Sequence, residues 1–143
     1  MKIIFCKWGS ICEKGITNAM QRLGITMITM DREFESVDYD KGYLEALACI
    51  IQENPDVSCV FSVNFQPIVA RCCKVFKLPY LSWTVDCPSF QLYSETITYP
   101  TNRIFVLDRM QWEKFSPANP DCIFHLPMGA DVATWDEINV TAE

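Results

Sequence analysis

Two aspartates stand where this chain could do chemistry. Asp86 closes the apolar run 80–85, and Asp108 closes the apolar run 103–107. Each run reads as a buried strand, and ligands of open α/β sheets sit beyond the strand ends. A carboxylate there can act as a general base on a hydroxyl, bind a sugar hydroxyl, or close its own loop through backbone N–H groups. All three roles stay open for Asp86. Asp108 precedes Gln111 by three residues, the spacing of a helix N-cap, with ligand binding as the alternative. Asn64 follows the apolar run 59–63, a position that suits a turn or a binding role.

The segment 87–102 between the two acids is too polar and aromatic for core. Tyr93 and Tyr99 each carry a flat ring that can stack on a sugar or base, and a hydroxyl that can hydrogen-bond. Packing over the sheet edge would use the same rings. Pro88 and Ser94 belong to the same stretch. Cys87 is the thiol to watch for reactivity, whereas most of the cysteines read as small buried hydrophobes. Trp83 reads as core and Glu95 as an exposed helix residue.

The elements that would position these residues alternate along the chain. Residues 2–7 read as a first strand. Ser10 and Glu13 have capping-box spacing, which starts a helix near Ile11, and Gly24 stops it. A second strand covers 25–30. After a polar loop, 31–40, Leu44, Leu47, Ala48 and Ile51 mark a second helix. The third strand is 59–63. Pro67 opens a third helix, whose face is Val69, Cys72, Cys73 and Phe76. The fourth strand follows Pro79. Segment 86–102 must then cross the sheet, with a short helix starting near Pro88. A fifth strand, a fourth helix through Phe115 and a sixth strand at 122–126 complete the pattern. This alternation predicts a Rossmann-like three-layer α/β/α sandwich with a mostly parallel sheet of about six strands, covered by helices on both faces.

A chain of 143 residues fits one domain. A net charge of −6, with no cluster of Lys and Arg, argues against nucleic acid as a partner. No apolar run approaches the ~20 residues of a membrane span, and the start MKIIFCKWGS lacks a signal-peptide pattern. The expectation is a cytoplasmic protein. The single histidine and scattered thiols offer no metal-ligand spacing.

Several activities are disfavoured by what the strand ends contain. The turn after the first strand, KWGSICEKG, has neither GxGxxG nor a Walker loop, although its backbone N–H groups could still meet an anion. The acids of a phosphorelay receiver are missing after Lys7 and after Val63. No GxSxG elbow is present, and His125 is the lone imidazole.

The runs SWTVDCP, LYS, TYPTNRIFVLDR and HLPMGAD fall in one collinear order. They resemble the N-terminal domain of CgeB-like, spore-maturation-type glycosyltransferases. The residues that carry the resemblance are Ser82, Trp83, Asp86, Pro88, Leu92, Tyr93, Ser94, Pro100, Asn102, Asp108, Leu126, Pro127, Gly129 and Asp131. The match is strongest from 80 to 131 and weaker before it. The resemblance implies a GT-B enzyme, in which two Rossmann-like domains face a cleft. It assigns 1–131 to the N-terminal, acceptor-side domain and 132–143 to the start of an interdomain linker or a frayed end.

By the same resemblance, a nucleotide-sugar donor is held mainly by a second, C-terminal domain, which is a partner this chain does not contain. No cofactor is expected on this chain, and no metal. Asp86 is the candidate catalytic residue. Asn64, Asp86, Pro88, Tyr93, Ser94, Tyr99 and Asp108 are candidates for binding a sugar or glycan-type acceptor. Gly9, Ser10, His125, Gly129 and Asp131 are expected at the interdomain cleft, whose exposed face could self-associate. This chain alone is expected to be inactive. The rival expectation is a non-catalytic ligand-binding or protein-interaction domain with the same half-fold.

Overall fold

A computed structural model describes residues 1–130; Asp131 and the segment 132–143 lie outside the described residues. The apolar runs form six strands: β1 (Lys2–Lys7), β2 (Thr26–Asp31), β3 (Cys59–Val63), β4 (Tyr80–Thr84), β5 (Asn102–Val106) and β6 (Ile123–His125). They make one sheet in the order β2-β1-β3-β4-β5-β6, and every pair is parallel. Four helices join them: α1 (Glu13–Arg22), α2 (Lys41–Glu53), α3 (Pro67–Phe76) and α4 (Arg109–Phe115). The Rossmann-like α/β architecture and the parallel six-stranded sheet are as expected.

Successive strand residues face opposite sides of the sheet, which divides the core in two. Ile4, Cys6, Val60, Tyr80, Ile104 and Val106 pack against α2, α3 and α4. Ile3, Phe5, Phe61 and Val63 pack on the other face, against Cys12, Ile16 and Met20 of the α1 region. Right-handed crossovers explain this division. Only the β1-to-β2 connection runs one way along the sheet; every later connection runs the other way. Expected cover on both faces therefore holds over β1 and β3. Over β4 to β6, Trp83 and Phe105 are half-buried, and Phe124 and Leu126 are exposed. Phe105 and Phe124 stack there, with ring centroids 5.4 Å apart.

Trp83, read as core, is half-buried and packs at the margin of the Ile3, Phe5 and Phe61 cluster. Its indole Nε1 donates to the Leu126 carbonyl at 3.1 Å.

The crossover from β4 to β5 carries its expected short helix in 3-10 form, as Phe90–Tyr93 starting two residues after Pro88, followed by a second turn, Glu95–Thr98. Its hydroxyls bond locally and compete with helix hydrogen bonds: Ser94 Oγ accepts from Thr96 N. Asn102 Nδ2 then donates to the carbonyls of Thr96 and Ile97, pinning the second turn over the sheet. α1 begins at Glu13, two residues later than its capping box predicts; Ser10 Oγ accepts from Cys12 N, and Glu13 Oε1 accepts from Ser10 N as the box requires.

Candidate functional site

The order of strands reverses between β1 and β3, and in an open α/β sheet such a reversal marks the ligand crevice past the C-terminal strand ends. The turn between β3 and α3 forms one wall. Phe65 N donates to Thr84 Oγ1 at 3.1 Å, and Gln66 N donates to the Tyr80 hydroxyl at 2.9 Å. Ser62 commits its one proton to the Asn64 carbonyl at 2.7 Å, so Tyr80 donates to Ser62 at 2.6 Å. Burial, foremost, pushes the Tyr80 phenol well above its ordinary value, so that donor is kept. These bonds over-determine the turn and hold Asn64 at φ 59°, a left-handed conformation that asparagine tolerates better than most residues.

Held this way, Asn64 clamps the end of β4. Its Oδ1 accepts from Val85 N at 2.8 Å and from Asp86 N at 3.2 Å. Two N–H groups on that atom leave Nδ2 facing the Asp86 carboxylate, to which it donates at 2.6 Å. Asp86 is exposed. Among the described residues no backbone N–H donates to its carboxylate; Asn64 closes the loop instead. The other two roles of Asp86 stay open.

Gln111 clamps the same loop from α4. Its Nε2 donates to the Asp86 carbonyl at 2.9 Å, and its Oε1 accepts from Ser89 N at 2.9 Å. Asp108 caps that helix, with Oδ1 accepting from Gln111 N at 2.8 Å. Asp108 therefore acts on the site through Gln111. Pro88 lies in the clamped loop, exposed, after a cis peptide bond. Phe90, next to Ser89, is 76% exposed and Met110, next to Gln111, is 78% exposed.

The structure does not bring the other candidates to Asp86. Tyr93 packs edge-on against Phe115 at 4.9 Å, with the Lys114 ammonium over its ring. Ser94 caps the second 3-10 turn. Tyr99 precedes β5, at the opposite, N-terminal edge of the sheet, where Lys74 Nζ sits 3.8 Å from its ring centroid. Glu95 is exposed and pairs with Arg71 at 3.3 Å. His125 ends β6 on the same edge as Asp86 but two strands away, with Nε2 3.2 Å from the Leu107 carbonyl. Gly129 lines a separate apolar cavity of about 580 Å³ beside α1, with Ile16, Leu23, Trp83 and Met128.

Gly9 and Ser10 do reach the crevice mouth, but their N–H groups are taken. Glu13 Oε1 accepts from Trp8 N at 2.9 Å, Gly9 N at 3.2 Å and Ser10 N at 3.2 Å. Trp8 Nε1 donates to the Val63 carbonyl at 2.6 Å, tying the turn across the strand-order reversal. This turn does not fit the phosphates of a nucleotide. Glu13, Gln111 and Phe90 were not singled out for these roles by the sequence. The only signal was spacing, Ser10 to Glu13 and Asp108 to Gln111, which reads as capping alone.

Among the described residues no group of three or more His, Cys, Asp or Glu side chains could hold a metal ion. No helix among them is long and apolar enough to cross a membrane. No protein-family model matches this chain, and no curated protein matches it.

Proposed function

We propose that this chain is the acceptor-side domain of a CgeB-like glycosyltransferase, with the clamped Asp86 as the group that receives an acceptor hydroxyl. The observation that carries the reading is the Asn64–Asp86 pair, a carboxylate fixed through one oxygen and open to solvent at a strand end. Of the residues behind the resemblance, Asp86 and Pro88 share the clamped loop, and Asp108 supports it through Gln111. The chemistry suits a neutral, hydroxyl-rich ligand. Asp86 supplies an acceptor, and Phe90 supplies an exposed apolar face of the kind that packs on a sugar ring.

In an inverting transfer, the acceptor oxygen attacks the anomeric carbon of the donor sugar. Asp86 takes the hydroxyl proton as that bond forms, and the nucleoside diphosphate leaves with the electrons of the broken bond. Donor phosphates belong to a second Rossmann-like domain in this reading, because the turn after β1 is already filled by Glu13.

The test is turnover of a nucleotide-sugar panel by the protein that joins this domain to its second domain, beside this chain alone and the joined protein carrying Asp86→Ala. Turnover by the joined protein, lost in the variant, is expected. Absence of turnover with every donor would favour the non-catalytic binding domain instead.

A further inference from the structure

The turn after β1 has the form of an anion cradle, and the chain supplies its own anion. Three consecutive N–H groups, of Trp8, Gly9 and Ser10, converge on one oxygen of Glu13. Gly9 sits at φ 95°, which lets successive N–H groups turn inward. Glu13 is only 8% exposed although it is charged and opens α1. A carboxylate rarely lies that deep unless it is fully bonded. Beside it is a cavity of about 360 Å³ lined by Lys7, Lys14, Thr17 and Asn18 as well as the turn. The buried Thr17 hydroxyl has no partner among the described residues. Three backbone donors thus hold one resident carboxylate, at the edge of a cavity that two lysines also line.

We propose that Glu13 is a specificity-determining residue that keeps phosphate out of the crevice. It does so in two ways. It uses the N–H groups a phosphate would need, and its own charge repels a second anion at the same place. The crevice is thereby left to uncharged ligands. This rests on the geometry of the turn and stands whether or not the domain serves a glycosyltransferase.

The experiment follows the amide resonances of Trp8, Gly9 and Ser10 in this chain while inorganic phosphate, and separately pyrophosphate, is added. Wild type, Glu13→Ala and Glu13→Gln are compared, with circular dichroism to show that each folds. The wild type is expected to give no saturable shift at these amides. Glu13→Ala is expected to give saturable shifts and a melting temperature that rises with phosphate. Glu13→Gln keeps an oxygen that can accept the same three bonds, so it is the variant that folds if the alanine does not. With the charge gone, its side chain yields to the anion and the same shifts appear at higher phosphate. Saturable shifts in the wild type, or none in any folded variant, would overturn the proposal.

Discussion

Asn64 holds Asp86 at both ends of the residue: its Nδ2 donates to the carboxylate at 2.6 Å, and its Oδ1 accepts from the Asp86 N–H at 3.2 Å. One side chain therefore sets both the path of the loop after β4 and the direction of its acid. The left-handed backbone of Asn64 is what aims the amide, and the bonds of Phe65 and Gln66 to β4 are what enforce that backbone.

Asn64→Ala removes three hydrogen bonds and places a Cβ-bearing, non-amide residue at φ 59°. A loss of about 2–4 kcal/mol is expected. Asn64→Gly loses the same bonds without the backbone strain and should recover about 1 kcal/mol of that. Urea midpoints of the two variants check the difference; equal midpoints would mean the backbone at Asn64 is not strained.

Gln111→Leu should move the loop while leaving the fold intact. The buried Ser89 N–H and the Asp86 carbonyl both lose their partner, at a cost of about 1–3 kcal/mol. Amide exchange at Ser89 should accelerate more than exchange in β4. Unchanged protection at Ser89 would show that the clamp is dispensable.

Asp108 offers a clean separation of capping from binding. Asn is as good an N-cap as Asp, so Asp108→Asn should keep the melting temperature, whereas Asp108→Ala should cost about 1 kcal/mol. If Asp108→Asn also abolishes transfer in the joined protein while the fold is unchanged, the Asp108 charge has a direct role that its position behind Gln111 does not explain.

Alkaline pH should unfold this protein through its buried thiols. Burial, foremost, pushes Cys6 up to about 12 and Cys72 up to about 11, against an ordinary value of 9.0. Below the ordinary value both states hold these protons, and the contribution is fully present. Above it the unfolded chain releases protons that the folded chain keeps, so stability falls until the pH passes the folded values. The slope is up to about 1.4 kcal/mol per pH unit for each thiol. Urea midpoints measured from pH 8 to pH 11 check this, and Cys6→Ser should flatten the slope.

Thiol labelling gives an independent reading of the same core. Cys49 and Cys87 are exposed, whereas Cys6, Cys59, Cys72, Cys73 and Cys122 are buried. At pH 8 a disulfide reagent should modify Cys87 and Cys49 in the native protein and reach the buried set only on unfolding. Cys87 should react ahead of Cys49, whose thiol is pushed up by the hydrogen bond to Glu53. Native labelling of Cys73 would contradict the packing of α3 on the sheet.

Most of the fold was legible in the sequence because its signals are local. Apolar runs bounded by turn residues mark β1 and β3 to the residue and β4 to β6 to within two residues. Pro67 starts α3, and Asp108 caps α4. The parallel sheet follows from helices alternating with strands, whereas the strand order β2-β1-β3-β4-β5-β6 is known only from the structure. The site was legible only in part. Asp86 and Asn64 announced themselves by standing at strand ends, where chain direction alone predicts a crevice.

What the tertiary structure decided is which residues meet. Asn64 and Asp86 are 22 positions apart, and Gln111 and Asp86 are 25 apart. Only the side-by-side order of β3, β4 and β5 makes them neighbours. The crossover after β4 travels from the C-terminal edge of the sheet to the N-terminal edge. Tyr99 is consequently carried away from Asp86, although the two share one polar and aromatic segment. Glu13 shows the same limit at short range. Its spacing to Ser10 predicts a single capping bond, but the curl of the turn at Gly9 delivers two further N–H groups to the same oxygen. Periodicity and composition determine elements; the meeting of side chains depends on backbone paths that no local pattern encodes.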